Sequence, residues 1–442
     1  MSVLVVGAGL AGCECAWQLA SRGIDVTLAE MKPRKRSPAH SSDAFAELVC
    51  SNSLRGDRLE NAAGLLKAEM RRMGSLILRE ADAARVPSGG ALAVDREIFS
   101  QAVTQAVKTH PLITAESREI TAIPETGGIA VVSTGPLTSD ALAVDIEKTV
   151  GAGFLSFFDA AAPIITASSV DMSRAFAADR YGRGQGDYVN CPLERDEYRE
   201  FRQALASAAQ APVRGFEDAR VFEGCMPVEV LARRGEDTLR FGPLRPVGLR
   251  DPKTGRGAYA VAQLRREDKD GSMYNLVGFQ THLTFAEQRR VFTMIPALKN
   301  AEILRYGVMH RNTFLDSPRL LDAGYMLRSR PGLYFAGEIT GVEGYVESAA
   351  SGLTAGLAVA WRLSGREPPR LPPVTALGAL SRHISGGTAY TATQGFQPMN
   401  INFGLLPPLE RAPRNKAERY AMLSARALDA LEEWISEKGV AL

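Results

Sequence analysis

The chain opens with an uninterrupted apolar run, Val3-Leu4-Val5-Val6, which predicts a strand buried on both faces. Gly7-Ala8-Gly9-Leu10-Ala11-Gly12 follows at once and predicts a tight turn opening a helix. A second apolar run over residues 24–29 is closed by Glu30. Residues 59–72 and 96–108 carry apolar positions at helical spacing, with Ile98, Phe99, Ala102, Val103 and Val107 on one side of the latter. Ser41, Ser42 and Asp43 are placed to cap a helix over 44–49. Residues 129–133 read as a strand ending in the turn Thr134-Gly135-Pro136. From 151 to 325 short apolar runs mix without a glycine fingerprint. Then Leu333-Tyr334-Phe335-Ala336-Gly337-Glu338 predicts another strand entering a glycine turn. Tyr345–Leu363 reads as a helix rich in small residues, 368–373 as a proline-rich linker, and Lys416–Lys438 as an amphipathic helix.

The first of these patterns has a chemical meaning. Gly7 permits the turn, Gly9 lets backbone approach a pyrophosphate, and Gly12 lets the helix lie on the strand. The helix N-terminus offers N–H groups to the phosphates. Glu30 stands about 20 residues on, where a carboxylate meets ribose hydroxyls. Strand, turn, helix, strand and acid together imply a bound dinucleotide. The late turn at Gly337, followed by Gly341 and Gly344, opens a second helix that would meet a flavin, so FAD is expected rather than NAD. Gly135 falls on the intervening turn. No second GxGxxG exists for NADPH or NADH, so a nicotinamide reductant would bind transiently.

The expected fold is α/β: a Rossmann-type, glutathione-reductase-like FAD-binding domain split by an inserted mixed α/β substrate domain. The boundaries are 1–150 and 326–366 for the FAD-binding parts, 151–325 for the insert, and 367–442 for a C-terminal linker and helical cap. A chain of 442 residues, 45% hydrophobic and 23% charged, has room for this as a soluble globular protein. No apolar run reaches the ~20 residues that span a bilayer. The N-terminus enters a strand directly, without a basic n-region, so the cytoplasm is the expected compartment and no membrane partner is expected.

Net charge is only +2, yet Lys and Arg number 52. They cluster at Lys32-Pro33-Arg34-Lys35-Arg36, Arg233-Arg234 and Arg265-Arg266. Such patches suit either solvated surface or a polyanion. The five cysteines, Cys13, Cys15, Cys50, Cys191 and Cys225, are odd in number and widely spaced, which argues against a disulfide framework. Cys13 and Cys15 fall in the first helix and read as packing residues, and Cys191 as structural or pocket-lining. The five histidines form no metal-ligand spacing, so no metal is expected.

Several motifs resemble the bacterial folate- and FAD-dependent tRNA (uracil-5-)-methyltransferases. They include Glu47-Leu48-Val49-Cys50-Ser51-Asn52-Ser53-Leu54-Arg55, Phe222-Glu223-Gly224-Cys225-Met226-Pro227 and Gly278-Phe279-Gln280-Thr281-His282-Leu283. Others are Leu304-Arg305-Tyr306-Gly307-Val308-Met309-His310-Arg311-Asn312, Gly341-Val342-Glu343-Gly344-Tyr345-Val346-Glu347-Ser348 and Pro398-Met399-Asn400-Ile401-Asn402-Phe403-Gly404-Leu405. One departure is Glu338, where the family pattern suggests glutamine.

The resemblance implies methylation of carbon-5 of the T-loop uridine of tRNA. Methylenetetrahydrofolate would supply the one-carbon unit and reduced FAD the electrons. Carbon-5 of uracil is a poor nucleophile. Thiolate addition at carbon-6 makes an enolate whose carbon-5 attacks an electrophilic methylene, and a base then removes the carbon-5 proton. Cys50 and Cys225 are the expected pair. Cys225 on a turn suits the nucleophile, and Cys50, before a cap-like stretch whose helix N–H groups would favour a thiolate, suits the acid/base partner; the reverse assignment stays open. The carbon passes from folate directly or through flavin nitrogen-5. Cofactor contacts are expected from Gly7, Ala8, Gly9, Leu10, Ala11, Gly12, Glu30, Gly135, Gly337, Glu338, Gly344, Tyr345 and Ser348. Substrate contacts are expected from His282, His310, Arg311 and Asn312. A wobble-uridine carboxymethylaminomethyl-modifying flavoprotein is the alternative in the same superfamily, though those chains carry a longer helical C-terminus. A plain FAD oxidoreductase on a small metabolite would need no paired cysteines.

Overall fold

The computed structural model describes residues 2–439 except 38, 126–127, 152–153, 161, 183–184, 212–225, 308, 369, 388–395 and 397; for 154–160 and 309–313 it describes the backbone. Cys225 therefore lies outside the described residues.

The apolar run Val3–Val6 is the centre of a five-stranded parallel sheet. Its order is Leu333–Phe335, Ala130–Val132, Val3–Val6, Val26–Glu30, Ile113–Ser117. Val3 pairs with Val26 and Leu4 with Ala130, in parallel register. Parallel strands need crossovers that cover both faces, which is why these strands are apolar throughout. The helices Leu10–Ala20 and Tyr345–Leu363 cross at backbone distance. A Cβ on Gly352 would stand 2.1 Å from the Ala11 carbonyl oxygen. The small residues of the late helix thus bring the second glycine turn to the first, from more than 300 positions away in the chain.

A second core forms around a six-stranded antiparallel sheet, ordered Phe176–Ala177, Tyr188–Leu193, Ala260–Arg266, Met273–Leu276, Ile164–Thr166, Ile303–Arg305. Helices Arg195–Ser207, Val228–Arg234 and Phe285–Phe292 contribute to it. A two-stranded ribbon, Phe154–Ala160 against Met309–Leu315, lies at its two chain boundaries. Helix Ala376–Ile384 is buried in the first core, and Lys416–Lys438 packs against helix Ala62–Arg72.

One expected element is absent. Residues 44–49 form no helix. The Phe45 and Ala46 N–H groups donate to Thr104 Oγ1 (2.7 Å) and the Ala8 carbonyl (2.9 Å), and Ala46 takes a φ of 50°. Ser41 and Ser42 do not cap; both donate to the Glu47 carboxylate. Tertiary partners outcompete the local helix. The cysteines of the first helix pack as expected: Cys13 and Cys15 are fully buried and burial pushes both thiols up. Cys191 is buried in the second core and pushed up to about 12. Among the described residues, no helix is long and apolar enough to cross a membrane, and no cluster of His, Cys, Asp or Glu could hold a metal ion.

Candidate functional site

A groove of about 1060 Å³, including space open to solvent, runs across the C-terminal edge of the parallel sheet. Gly7 turns at φ 96°, and a Cβ on Gly12 would lie 1.8 Å from the Gly7 carbonyl oxygen. No larger residue fits at position 12. A Cβ on Gly9 would find no atom within 4 Å, so backbone is bare on the groove floor. The helix that follows has no side-chain cap and no acidic residue in its first turn. Its first N–H groups therefore face the groove with the positive end of the helix dipole. Glu30 is at the rim, with one carboxylate oxygen accepting from the Ala8 N–H (2.7 Å) and the other from the Lys32 N–H (3.0 Å). Each oxygen keeps a lone pair for a ribose hydroxyl. Gly135, Gly337, Glu338, Tyr345 and Ser348 line the remainder, together with Ala8, Leu10 and Ala11. These residues fit a dinucleotide with its pyrophosphate at Gly9–Ala11 and its ring system toward Gly337 and Tyr345. Gly344 caps the late helix at φ 109°, beside the Glu347 carboxylate.

Cys50 stands at the Tyr345 end of this groove. The Cys50 N–H donates to the Tyr345 hydroxyl oxygen (2.7 Å), and the Ser51 N–H to the same oxygen (3.1 Å). Burial pushes the Tyr345 phenol well up, so it stays neutral. Arg96, paired with Glu267 at 2.7 Å, donates to the carbonyls of Leu48 (2.6 Å) and Cys50 (3.3 Å). Arg305 donates to the Val49 carbonyl. Arg265 donates to Ser51 Oγ (2.7 Å) and Asn52 Oδ1 (2.9 Å). Three guanidinium groups thus hold the strap on either side of the thiol. Burial and mutual repulsion lower Arg305, burial lowers Arg265, and Glu267 keeps Arg96 charged.

This corrects two sequence expectations. No helix begins after Cys50; the chain enters the strand Ser53–Gly56, and the local positive field comes from arginines. The basic runs are also not uniform surface. Lys32 is 4% exposed and donates to the Ala44 carbonyl at 2.5 Å, while Arg265 is 7% exposed.

His282 is buried beside the start of helix Val228–Arg234. Its N–H donates to Glu229 (2.8 Å), and burial lowers its imidazole. The Val228 N–H donates to the Gln280 carbonyl (2.7 Å), so the segment following Cys225 lies on the motif that carries His282. His310, Arg311 and Asn312 pair in register with Asp159, Phe158 and Phe157, on a strand that packs against the short turn Glu338–Thr340. Sequence reasoning missed Lys32, His40, Glu47, Arg118 and Glu119, which also line the groove. It missed the Arg96–Glu267 pair as well. Glu47 and Arg305 carried a signal as members of quoted motifs, and Lys32 as a member of a basic run.

A glycine-turn groove at the carboxyl ends of a parallel sheet, with a second glycine turn closing it, defines a Rossmann-type flavoprotein. The family model described as "Glucose inhibited division protein A" matches residues 2–367. The methylenetetrahydrofolate--tRNA-(uracil-5-)-methyltransferase TrmFO of Desulfitobacterium hafniense (strain Y51) is 56% identical over 439 residues, 99% of each chain. The enzyme of the same name from Moorella thermoacetica is 57% identical over 427 residues, 97% of each. Among solved structures, Aquifex aeolicus GidA in its form II crystal matches with a TM-score of 0.73 at 15% identity, covering 100% of this chain and 74% of that one. The chain belongs to the glucose inhibited division protein A family, as one of the methylenetetrahydrofolate--tRNA-(uracil-5-)-methyltransferases.

Proposed function

We propose that this chain methylates carbon-5 of the T-loop uridine of tRNA, taking the one-carbon unit from 5,10-methylenetetrahydrofolate. The observation that carries the reading is Cys50, hung from the Tyr345 hydroxyl at the end of a dinucleotide groove. FAD in that groove supplies the reducing equivalents that turn a methylene into a methyl group. Gly7, Gly9, Leu10, Ala11, Glu30, Gly135, Gly337 and Ser348 would hold it.

A thiolate adds to carbon-6 of uracil and breaks the 5,6 double bond. The enolate so formed bonds through carbon-5 to the donor methylene. A base then takes the carbon-5 proton, the bond from the methylene to its nitrogen carrier breaks with the nitrogen keeping the electron pair, and a hydride equivalent, which reduced FAD would supply, adds to the methylene as the thiolate leaves carbon-6 and the 5,6 double bond returns. Cys50 supplies one of the two thiols, with the Arg96 and Arg305 guanidinium groups bonded to the carbonyls beside it. Cys225 supplies the other, and the two roles remain interchangeable between them. The strand bearing His310, Arg311 and Asn312, and the motif bearing His282, supply substrate contacts. Glu338, at the groove wall, offers a carboxylate to the ring system where the family pattern has an amide.

A uridine inside a folded loop must leave its stack to reach this site. A nicotinamide dinucleotide, NADPH or NADH, serves as transient reductant, in keeping with the single glycine fingerprint of the chain. A tRNA substrate is met in the cytoplasm, the compartment this reading assigns to the protein. Incubation of the FAD-loaded protein with unmodified tRNA, labelled methylenetetrahydrofolate and NADPH under anaerobic conditions is expected to yield labelled 5-methyluridine. Absence of label in that nucleoside overturns the reading.

A further inference from the structure

The strap that carries Cys50 is bracketed by backbone strain. Among the described residues, four that are not glycine take a positive φ, and two of them, Ala46 (50°) and Arg55 (63°), stand on either side of the thiol. A long side chain stays in the left-handed region only where its surroundings over-determine it. Around Arg55 they do so with buried hydrogen bonds. The Lys67 ammonium binds the carbonyls of both neighbours, Leu54 (2.9 Å) and Gly56 (2.8 Å), and the Arg55 N–H donates to Ser53 Oγ (3.0 Å). With the backbone gripped on both sides, the guanidinium pairs with Glu347, a carboxylate that is wholly buried.

Glu347 is the third residue of the helix Tyr345–Leu363, where a glutamate ordinarily turns back to the cap. Its Oε1 instead accepts from Arg55 and from the Ile401 N–H (2.9 Å). Its Oε2 has no hydrogen-bond partner among the described residues and lies against Gly344, where a Cβ would stand 2.7 Å from it. Burying a carboxylate half-satisfied is costly, so stability alone explains the pair poorly. Tyr345, two residues earlier, accepts from the Cys50 N–H at 2.7 Å. Two residues along a helix lie about 200° apart. The strap therefore holds this first turn from two sides, at position 50 through Tyr345 and at position 55 through Glu347. The same turn closes the ring end of the groove, with Tyr345 and Ser348 on its wall. Between the two mounts, Asn52 is tied to the six-stranded sheet by Arg265 Nε (2.9 Å) and the Arg266 carbonyl (2.8 Å).

We infer that Arg55 and Glu347 are positioning residues: their pair fixes the Cys50 strap on the helix turn that closes the groove, and so sets where the thiol stands against the groove's ring end. The inference rests on the reading of Cys50 as a reacting thiol and deepens it. Arg55→Gly removes the guanidinium and relieves the backbone, but leaves Glu347 charged and buried. Arg55→Gly combined with Glu347→Gln removes that charge as well. Glu347→Gln alone keeps an acceptor for Arg55. Each FAD-loaded variant is compared with the parent in melting temperature and flavin content, in the rate at which iodoacetamide alkylates Cys50 (read by peptide mass mapping), and in the steady-state constants for 5-methyluridine formation. Arg55→Gly is expected to melt lower and to lose about 30-fold in kcat, with KM for tRNA and for the folate within about 2-fold of the parent. Its Cys50 is expected to alkylate about 10-fold faster. The double variant is expected to regain the melting temperature but to keep both the kcat loss and the fast alkylation. Glu347→Gln is expected to lose only about 3-fold in kcat, because the bond to Arg55 survives. A double variant whose kcat returns with its melting temperature overturns the inference, since the pair would then be structural only. Parent-like kcat or parent-like alkylation in Arg55→Gly overturns it too, as does a kcat loss that merely follows loss of flavin. If the parent itself forms no 5-methyluridine, the proposed function falls, while alkylation and melting still decide whether the pair holds the strap.

Discussion

At the Gly7 end of the groove, one contiguous stretch of chain does nearly everything. Strand, turn and helix between Val3 and Ala20 supply the bare backbone and the N–H donors, and Glu30 arrives after one further strand. At the Tyr345 end, the site is a junction of segments remote in sequence. Cys50 is bonded by Tyr345 and Arg96, and its neighbours Ser51 and Val49 by Arg265 and Arg305, each from a different element. Glu347, in the first turn of the late helix, pairs with Arg55 and accepts from the Ile401 N–H at 2.9 Å. Met399 pairs with Val342 as a parallel bridge, its N–H donating to the Gly341 carbonyl and its carbonyl accepting from the Glu343 N–H. A binding function tolerates a local build because a phosphate needs only backbone donors. A reacting thiol must be fixed against two partners, and that takes rigid support from several directions.

The two ends should therefore fail differently. The largest effect is expected for Cys50→Ala: uridine methylation falls by at least about 1000-fold, while the bound flavin keeps its absorption. Loss of flavin together with activity would mean that the ends are not separable. Gly12→Val should do the reverse, because its side chain has no room against the Gly7 carbonyl. It is expected to cost at least about 3 kcal/mol of stability and to release the flavin, as read by thermal melting and flavin content.

Lys67 tests the scaffold under the Cys50 strap. Its ammonium, fully buried, donates to the carbonyls of Leu54 (2.9 Å), Gly56 (2.8 Å) and Ala63 (3.0 Å), and burial lowers it to about 8 from 10.5. The unfolded chain holds this proton more tightly than the folded one. Its contribution to stability is therefore present above pH 10.5 and is lost as pH falls through 8, by about 3 kcal/mol at most. Denaturant titrations across that window should show the rise for the parent and not for Lys67→Met. The smallest effect is expected for Tyr345→Phe, which orphans two N–H groups at a cost of about 2 kcal/mol. Turnover should fall about 10-fold with flavin retained; an unchanged rate would show that the strap is held by its arginines alone.

The same contrast explains what could be read in advance. The helix Lys416–Lys438 and the late helix Tyr345–Leu363 were legible because their apolar spacing is local. The helix expected over 44–49 failed because Phe45 and Ala46 give their N–H groups to Thr104 and Ala8. Arg265 read as surface charge because nothing local says that Ser51 and Asn52 will stand opposite it. Cys50 could be proposed as a reactive residue only through its motif. The source of its positive surroundings was placed wrongly, in a helix end that does not form.

By itself the sequence determined the strands Val3–Val6 and Val26–Glu30, the glycine turn between them and the acid at Glu30, because each depends on neighbours within about 20 residues. Tertiary structure alone decided how the thiol is held. The Cys50–Tyr345 bond joins positions 295 apart and the Arg265–Ser51 bond positions 214 apart. No local propensity encodes such a meeting. It exists because the small residues of one helix let it close on another, and because buried donors must find acceptors wherever the packed chain brings them.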